Sequence, residues 1–333
     1  MKITICGAGG WGIGLAQVAC DGGHEVTMWS FSEEEIASMR RHNENKRCLP
    51  GVFLPAGLEL TTDLSVAAGA DMVILAVPSF AIRSTAKQLA AVLRPGTVTV
   101  NAGKGLEEGT LKRFSQVMTE EMPTARVVVL SGPSHAEEVA RRVLTTVTVS
   151  STDAEAASLV QHALNTSYFR LYRNADLIGV ELGGALKNVI ALCAGIVDGL
   201  DLGDNSKAAL MTRGLAEMAR LGMAMGAQEN TFAGLSGMGD LLVTCGSLHS
   251  RNRRAGILIG EGVGVEDAIG RVGTVEGYPA AKVAMELSER YQVEMPIMRQ
   301  CYRICYEGLG ARQALAELVR RPLRDECEPL WMD

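Results

Sequence analysis

The chain of 333 residues is poor in aromatic side chains, 5% in all, and has no Cys-x-x-Cys pair. Its five histidines are scattered, with no His-Glu-x-x-His or other metal-ligand spacing. Nor is there an excess of positive charge, since 32 Lys and Arg against 38 Asp and Glu leave a net −6. Few aromatics speak against an all-β shell. Scattered histidines and unpaired cysteines predict no metal. The acidic balance argues against a general binder of nucleic acid or anionic membranes, while allowing a local basic pocket. No fixed-period self-similarity is present, which removes repeat arrays. What is there is 47% apolar and 21% charged, with 37 glycines. That composition fits an α/β enzyme with tight loops. At roughly 100–200 residues per domain, two domains are expected.

The eight cysteines (Cys6, Cys20, Cys48, Cys193, Cys245, Cys301, Cys305 and Cys327) mostly sit among apolar neighbours. Reduced, buried thiols of a cytosolic protein are the expectation. Residues 3–20 carry no charge and follow Lys2, so their composition resembles an export signal or a short membrane span. Gly7, Gly9, Gly10, Gly12 and Gly14 are too many for a continuous apolar helix. A strand, a glycine turn and a helix account for them. The chain is expected to be soluble and cytoplasmic, without membrane insertion.

Strand and helix signals alternate through the first half. Residues 2–6, 25–30, 71–77, 97–101, 126–130 and 146–149 are short, β-branched and apolar on both faces, as in a buried parallel sheet. Helical stretches such as 84–93 would make right-handed crossovers. The fold class expected is α/β: a doubly wound Rossmann-type parallel sheet, followed by an all-α C-terminal domain. Residues 179–199, 206–226, 251–260, 276–292 and 296–308 carry the helical patterns. The boundary is put at 1–175 for the dinucleotide-binding domain and 176–333 for the substrate domain.

Gly7-Ala8-Gly9-Gly10-Trp11-Gly12 is a G-x-G-x-x-G run that follows a strand and opens a helix. The first glycine permits the tight turn, the second admits a pyrophosphate, and the third lets helix and strand pack closely. The cofactor is NAD or NADP. At the end of the second strand an NAD-selective site usually carries an acid, but here the chain reads Ser30-Phe31-Ser32. No acid repels a 2′-phosphate there and no adjacent arginine recruits one. Phe31 is read either as an adenine contact or as core. Asp in place of Ser30 is expected to favour NADH.

Three patches are odd for plain structure. Asn101-Ala-Gly-Lys104-Gly and Ser131-Gly132-Pro-Ser134-His135-Ala136 each follow a strand at its C-terminal end, where open sheets bind ligands. Lys104 can reach an anion, and Ser134 and the loop N–H groups can donate to one; His135 is the weaker candidate. Lys187 is the only charged residue between Leu182 and Val197 in a helix apolar nearly all round. Such helices are buried, and a buried lysine needs a partner or gives up its proton. Gly183 and Gly184 beside it are expected to leave room for a ligand. Gly237-Met-Gly-Asp240 and Ser250-Arg251-Asn252-Arg253-Arg254 form the last patch. Arginine suits phosphate oxygens, yet helical spacing prevents all three from facing one pocket. Asp240 is open to three readings: a substrate hydroxyl, a hold on Lys187, or a helix cap.

Together with Leu75-Ala-Val-Pro-Ser79 and Gly184-Ala-Leu-Lys187-Asn188, these motifs resemble, in order, the bacterial NAD(P)-dependent glycerol-3-phosphate dehydrogenases. The resemblance runs from the first strand to Glu294-Met-Pro296, nearly the whole chain. It implies Lys187 as the proton donor and acceptor, oriented by Asn188 and Asp240. It implies that Lys104, Gly132, Ser134, Lys187, Asp240, Ser250, Arg251 and Asn252 contact glycerol 3-phosphate or dihydroxyacetone phosphate. Gly10, Trp11, Phe31, Lys104, Ala136, Arg251, Val275 and Glu276 would meet the nicotinamide nucleotide. A supply of glycerol 3-phosphate for phospholipid synthesis and a homodimer are implied as well. Two rival readings are a β-hydroxyacid dehydrogenase, which would need fewer cations, and a redox-sensing binding protein, which would not need Lys187.

Overall fold

The computed structural model describes residues 1–323 and 325; Cys327 lies outside them. β1 (Lys2–Cys6) leads through α1 (Gly10–Asp21) to β2 (Glu25–Trp29) and α2 (Glu33–His42). Then come β3 (Glu59–Thr61), β4 (Met72–Leu75), α3 (Ile82–Ala90), β5 (Val98–Asn101) and α4 (Phe114–Glu121). β6 (Arg126–Ser131), α5 (Ala136–Val139), β7 (Thr145–Ser150), α6 (Ala154–Leu164) and β8 (Phe169–Asn174) complete an eight-stranded sheet. Its order is β3-β2-β1-β4-β5-β6-β7-β8.

Period-two alternation decides which face each side chain joins. Ile3, Ile5, Met72 and Ile74 pack with α1 and α6 through Ile13, Leu15 and Val160. Cys6, Val73 and Leu75 face α3 and α4 through Ile82, Leu89, Phe114 and Met118. Both faces are covered, as the strand sequences require. The chain leaves β1 toward β2 and β3, then returns to β4 on the other side. The crevice beyond the C-terminal ends of β1 and β4 is therefore the switch point where such sheets bind ligands.

The sheet departs from the expectation in three places. β7 runs antiparallel to β6, with Val129 opposite Ser150 and Ser131 opposite Thr148. The single turn of α5 is about 6 Å long and cannot span a six-residue strand of roughly 20 Å, so the chain returns as a strand instead. β3 was not expected, because three half-exposed edge residues give no pattern. β8 was missed because it alternates: Phe169 and Leu171 point in, Arg170 and Tyr172 out.

From Leu177 onward the described residues are helical. α7 (Leu177–Gly199) and α8 (Gly203–Ala224) are followed by α9 (Glu229–Phe232), a π-helical turn (Leu235–Gly239) and α10 (Asp240–Gly246). α11 (Arg251–Gly260), α12 (Val265–Val272), α13 (Gly277–Tyr291), α14 (Pro296–Tyr306) and α15 (Ala311–Val319) follow. The short α9 and α10 give one or two turns with little pattern to read, whereas α12 and α15 were passed over although their apolar residues recur at helical spacing. α7 is long and apolar enough to cross a membrane, yet 94% of its apolar window is buried inside the protein. It is the core helix, with α8, α10, α11, α13 and α14 packed around it. Gly195 and Gly199 on α7 meet Gly256 and Gly260 on α11 so closely that a Cβ on Gly195 would stand 2.0 Å from the Arg253 carbonyl oxygen. That backbone-to-backbone approach also brings Asn252, in the first turn of α11, to Asn188, the residue after Lys187.

Candidate active site

The glycine loop is shaped for a dinucleotide. Gly7 has φ +117°, and a Cβ there would lie 2.5 Å from the Ala76 carbonyl oxygen. A Cβ on Gly12 would lie 2.0 Å from the Gly7 carbonyl oxygen, so only glycine lets α1 start this near β1. Beside Gly9 nothing comes within 4 Å, and no side chain caps α1. Open space in front of uncapped N–H groups is what a pyrophosphate needs. Trp11 anchors the loop by donating from Nε1 to the Ala102 carbonyl at 3.0 Å. Ala136 borders the same space, 3.4 Å from a Cβ built on Gly10.

Phe31 is 86% exposed just past β2, which overturns its core reading. Phe80, 83% exposed past β4, stands across β1 from it and was not anticipated. Ser30 does not face the mouth. It is buried, and its hydroxyl donates to Glu35 Oε2 at 2.7 Å. Asp at this position would press a second carboxylate on Glu35, so the expectation that it would read a ribose hydroxyl is withdrawn.

The chemical centre lies between the domains. Lys187, on buried α7, donates to Asp240 Oδ1 and to Thr244 Oγ1, the latter at 2.7 Å. Lys104, from the loop after β5, donates to Asp240 Oδ2 at 2.7 Å and to the Gly132 carbonyl at 2.8 Å. Ser134 Oγ lies 3.4 Å from the same ammonium. One fully buried carboxylate thus holds two lysines, each delivered by a different domain. With both lysines charged the triad carries a net positive charge. Burial pulls the Lys187 pKa down to about 8; Asp240 opposes that shift and Lys104 adds to it. Burial pushes the Asp240 carboxyl upward, but Lys104 and Lys187 outweigh it and hold the pKa below the usual range.

Asp240 holds Lys187, with Lys104 as a second partner, and it is not the helix cap, since Gly239 stands at that position of α10. Gly183 and Gly184 do not open room for a ligand, contrary to expectation. A Cβ on Gly183 would lie 2.5 Å from the Ser236 carbonyl oxygen, and one on Gly184 would lie 2.7 Å from Ser131 Oγ. Both glycines admit protein. Asn188 does not touch Lys187 either: its Oδ1 accepts from Asn252 Nδ2 at 2.9 Å and its Nδ2 donates to the Gly184 carbonyl at 3.3 Å. Asn252 Oδ1 in turn accepts from Gly277 N–H at 2.8 Å, next to the Val275-Glu276 pair. Glu276 reaches the first domain, where its Oε1 accepts from Ser79 N–H at 3.3 Å. Val275 is buried. Ser250 caps α11, accepting from Arg253 N–H at 3.2 Å. Arg253 pairs with Asp198 at 2.7 Å, while Arg251 is exposed on the same helix start. Arg254 is exposed as well, so of the three only Arg253 turns into the protein.

A family model described as NAD-dependent glycerol-3-phosphate dehydrogenase N-terminus matches residues 2–157, and its C-terminal counterpart matches 176–316. The glycerol-3-phosphate dehydrogenase [NAD(P)+] of Desulfitobacterium hafniense is 52% identical over 328 residues, covering 98% of this chain and 93% of its own. That of Moorella thermoacetica is 51% identical, covering 98% of each. The crystal structure of glycerol-3-phosphate dehydrogenase from Coxiella burnetii superposes with a TM-score of 0.92 at 37% identity, covering 96% of this chain and 99% of that one.

The chain belongs to the NAD-dependent glycerol-3-phosphate dehydrogenase family.

Within this family member the sequence motifs converge. The loops after β5 and β6 supply Lys104, Gly132 and Ser134, α7 supplies Lys187, and α10 supplies Asp240 and Thr244. Thr244 was passed over as a partner of Lys187, although it stands four residues after Asp240 and so shares its helix face. His135 lies off the centre: its ring reaches the Val243 carbonyl at 3.3 Å, and burial keeps its pKa low.

Proposed function

We propose that the chain interconverts dihydroxyacetone phosphate and sn-glycerol 3-phosphate, with Lys187 as the group that moves the proton. The buried Lys104–Asp240–Lys187 triad carries this reading, since its surplus positive charge suits a phosphorylated substrate whose carbonyl oxygen gains negative charge. The glycine cradle fits NAD or NADP, which when bound supplies or accepts the hydride at C2. Lys187 has three donors. Asp240 and Thr244 take two of them, and the third is left for the C2 oxygen.

In reduction the charged lysine donates to that oxygen; in oxidation its neutral form accepts the hydroxyl proton. Burial supports both roles by bringing the pKa to about 8, where both protonation states are populated. Lys104 adds positive field beside the forming alkoxide. Arg251, at the start of α11, grips the phosphate, with Gly132, Ser134, Ser250 and Asn252 completing the substrate set. Remote phosphate binding then fixes the reacting carbon. Gly7, Gly9, Gly10, Trp11, Gly12, Phe31, Ala136, Val275 and Glu276 border the nucleotide, with Lys104 and Arg251 shared between the two ligands. Phe80 joins Phe31 as an apolar surface for the nucleotide.

The reading assigns 1–175 to the nucleotide and 176–333 to the substrate. It also takes the enzyme as a cytoplasmic homodimer supplying glycerol 3-phosphate to phospholipid synthesis. Mixing enzyme, NADH or NADPH and dihydroxyacetone phosphate should bleach nicotinamide absorbance and yield glycerol 3-phosphate. No oxidation with this ketone, alongside turnover of a hydroxyacid, would overturn the proposal.

A further inference from the structure

Beside the glycine loop stands a charged pair that the chemistry above does not use. Glu35 lies in the first turn of α2, just past the end of β2. Its Oε2 accepts from the buried Ser30 hydroxyl, while its Oε1 accepts from Asn45 Nδ2 and Arg47 Nη2, each at 3.1 Å. The same Asn45 amide donates to the Ala8 carbonyl inside the glycine loop at 2.9 Å. Its Oδ1 accepts from Cys48 N–H at 3.2 Å, and the Cys48 carbonyl oxygen lies 3.3 Å from a Cβ built on Gly10. Residues 45–48 are therefore laced to the cradle. Arg47 stands at its rim, with a side chain 81% exposed where that of Glu35 is 15%.

In doubly wound sheets an acid after the second strand accepts from the adenosine ribose, or an arginine there accommodates a 2′-phosphate. Here the strand end offers neither, because Ser30 turns inward and Phe31 is apolar. The acid arrives instead from the helix, and three donors, one of them cationic, cover its charge. Arg47 spends one donor on Glu35. A guanidinium has five donors, so others remain to face solvent.

We propose that Arg47, seated on Glu35, recognises the 2′-phosphate of NADP, and that this pair sets the choice between the two nucleotides. The proposal rests on the dinucleotide reading of the cradle. With Arg47 present a 2′-phosphate meets a cation. Without it the phosphate meets a carboxylate whose remaining donors, Ser30 and Asn45, are neutral, whereas the 2′-hydroxyl of NAD meets an acceptor.

The test compares kcat/KM for NADPH and NADH in wild type, Arg47→Ala and Arg41→Ala, with calorimetric binding of adenosine 2′,5′-bisphosphate and of AMP. Arg47→Ala should lower the NADPH value and the bisphosphate affinity roughly 10–100-fold, leaving NADH and AMP as in wild type. Arg41→Ala, on the exposed side of α2, should change none of the four. Equal losses for both nucleotides, no loss for either, or the same loss in Arg41→Ala would overturn the proposal. Retained NADH turnover shows that the variant is folded. If wild type bound neither the bisphosphate nor AMP, the cradle reading would fail and take the proposal with it.

Discussion

Helices α1 and α7 both set glycines among apolar residues and both border the site, but the space beside those glycines differs. Next to Gly9, at the start of α1, nothing stands within 4 Å. Next to Gly183, Gly184 and Gly195 on α7, a Cβ would run into protein at 2.5, 2.7 and 2.0 Å. The first helix offers backbone donors and room for a ligand. The second gives up its room so that neighbouring backbones close around one lysine. Binding and chemistry are thus divided between two uses of the same small residue. Lys104 and Asp240 tie the two halves at a single carboxylate.

Removing the lysine should break this division most severely. Lys187→Ala should cost kcat about 10²–10⁴-fold and leave NADH affinity unchanged, because the cradle belongs to the other domain. The melting temperature should hold, since Asp240 keeps Lys104 at 2.7 Å. An active but unstable variant would make Lys187 a structural ion-pair residue.

Next in size is the packing of α7. Gly195→Ala puts a methyl where the Arg253 carbonyl oxygen stands 2.0 Å away, and overpacking of this kind costs about 3 kcal/mol. A fall in Tm of roughly 6–12 °C is expected, and an unchanged Tm would show that α7 and α11 can separate freely. The smallest effect belongs to the open glycine. Gly9→Ala should leave Tm unaltered, since φ −69° and ψ 173° suit any residue. It should raise the KM of NADH and NADPH alike, by about tenfold. A fall in Tm without a change in KM would reverse the roles assigned to the two helices.

How much of this was legible in the sequence follows from the same contrast. The G-x-G-x-x-G run, the buried strands and the lone charge in α7 were readable, because each breaks or obeys a strong local pattern. The identity of Lys187's partners was readable only in part. Asp240 stood among the candidates, but Thr244 acts through a shared helix face within a segment too short to look helical. Gly183 and Gly184 were misread because a glycine's neighbours across space leave no trace in its neighbours along the chain. The Gly195–Gly199 and Gly256–Gly260 pairs, each four residues apart, were a signal available for the α7–α11 contact. Ser30 was placed correctly at the end of β2 but pointed the wrong way. Its hydroxyl is held inward by Glu35, which Asn45 holds in turn, and that arrangement forms only on folding.

The pH dependence of kcat, measured in both directions on wild type and on Lys104→Gln, tests the central claim most directly. Lys187 must be charged to donate and neutral to accept, and burial sets its pKa at about 8. Reduction should therefore slow as pH rises through that value, and oxidation should quicken over the same range. Lys104 depresses the Lys187 pKa, so replacing it by the neutral Gln should move both inflections upward together. Profiles that bend in the same sense for both reactions, or inflections that stay in place in Lys104→Gln, would contradict the assignment of Lys187 as the group that moves the proton.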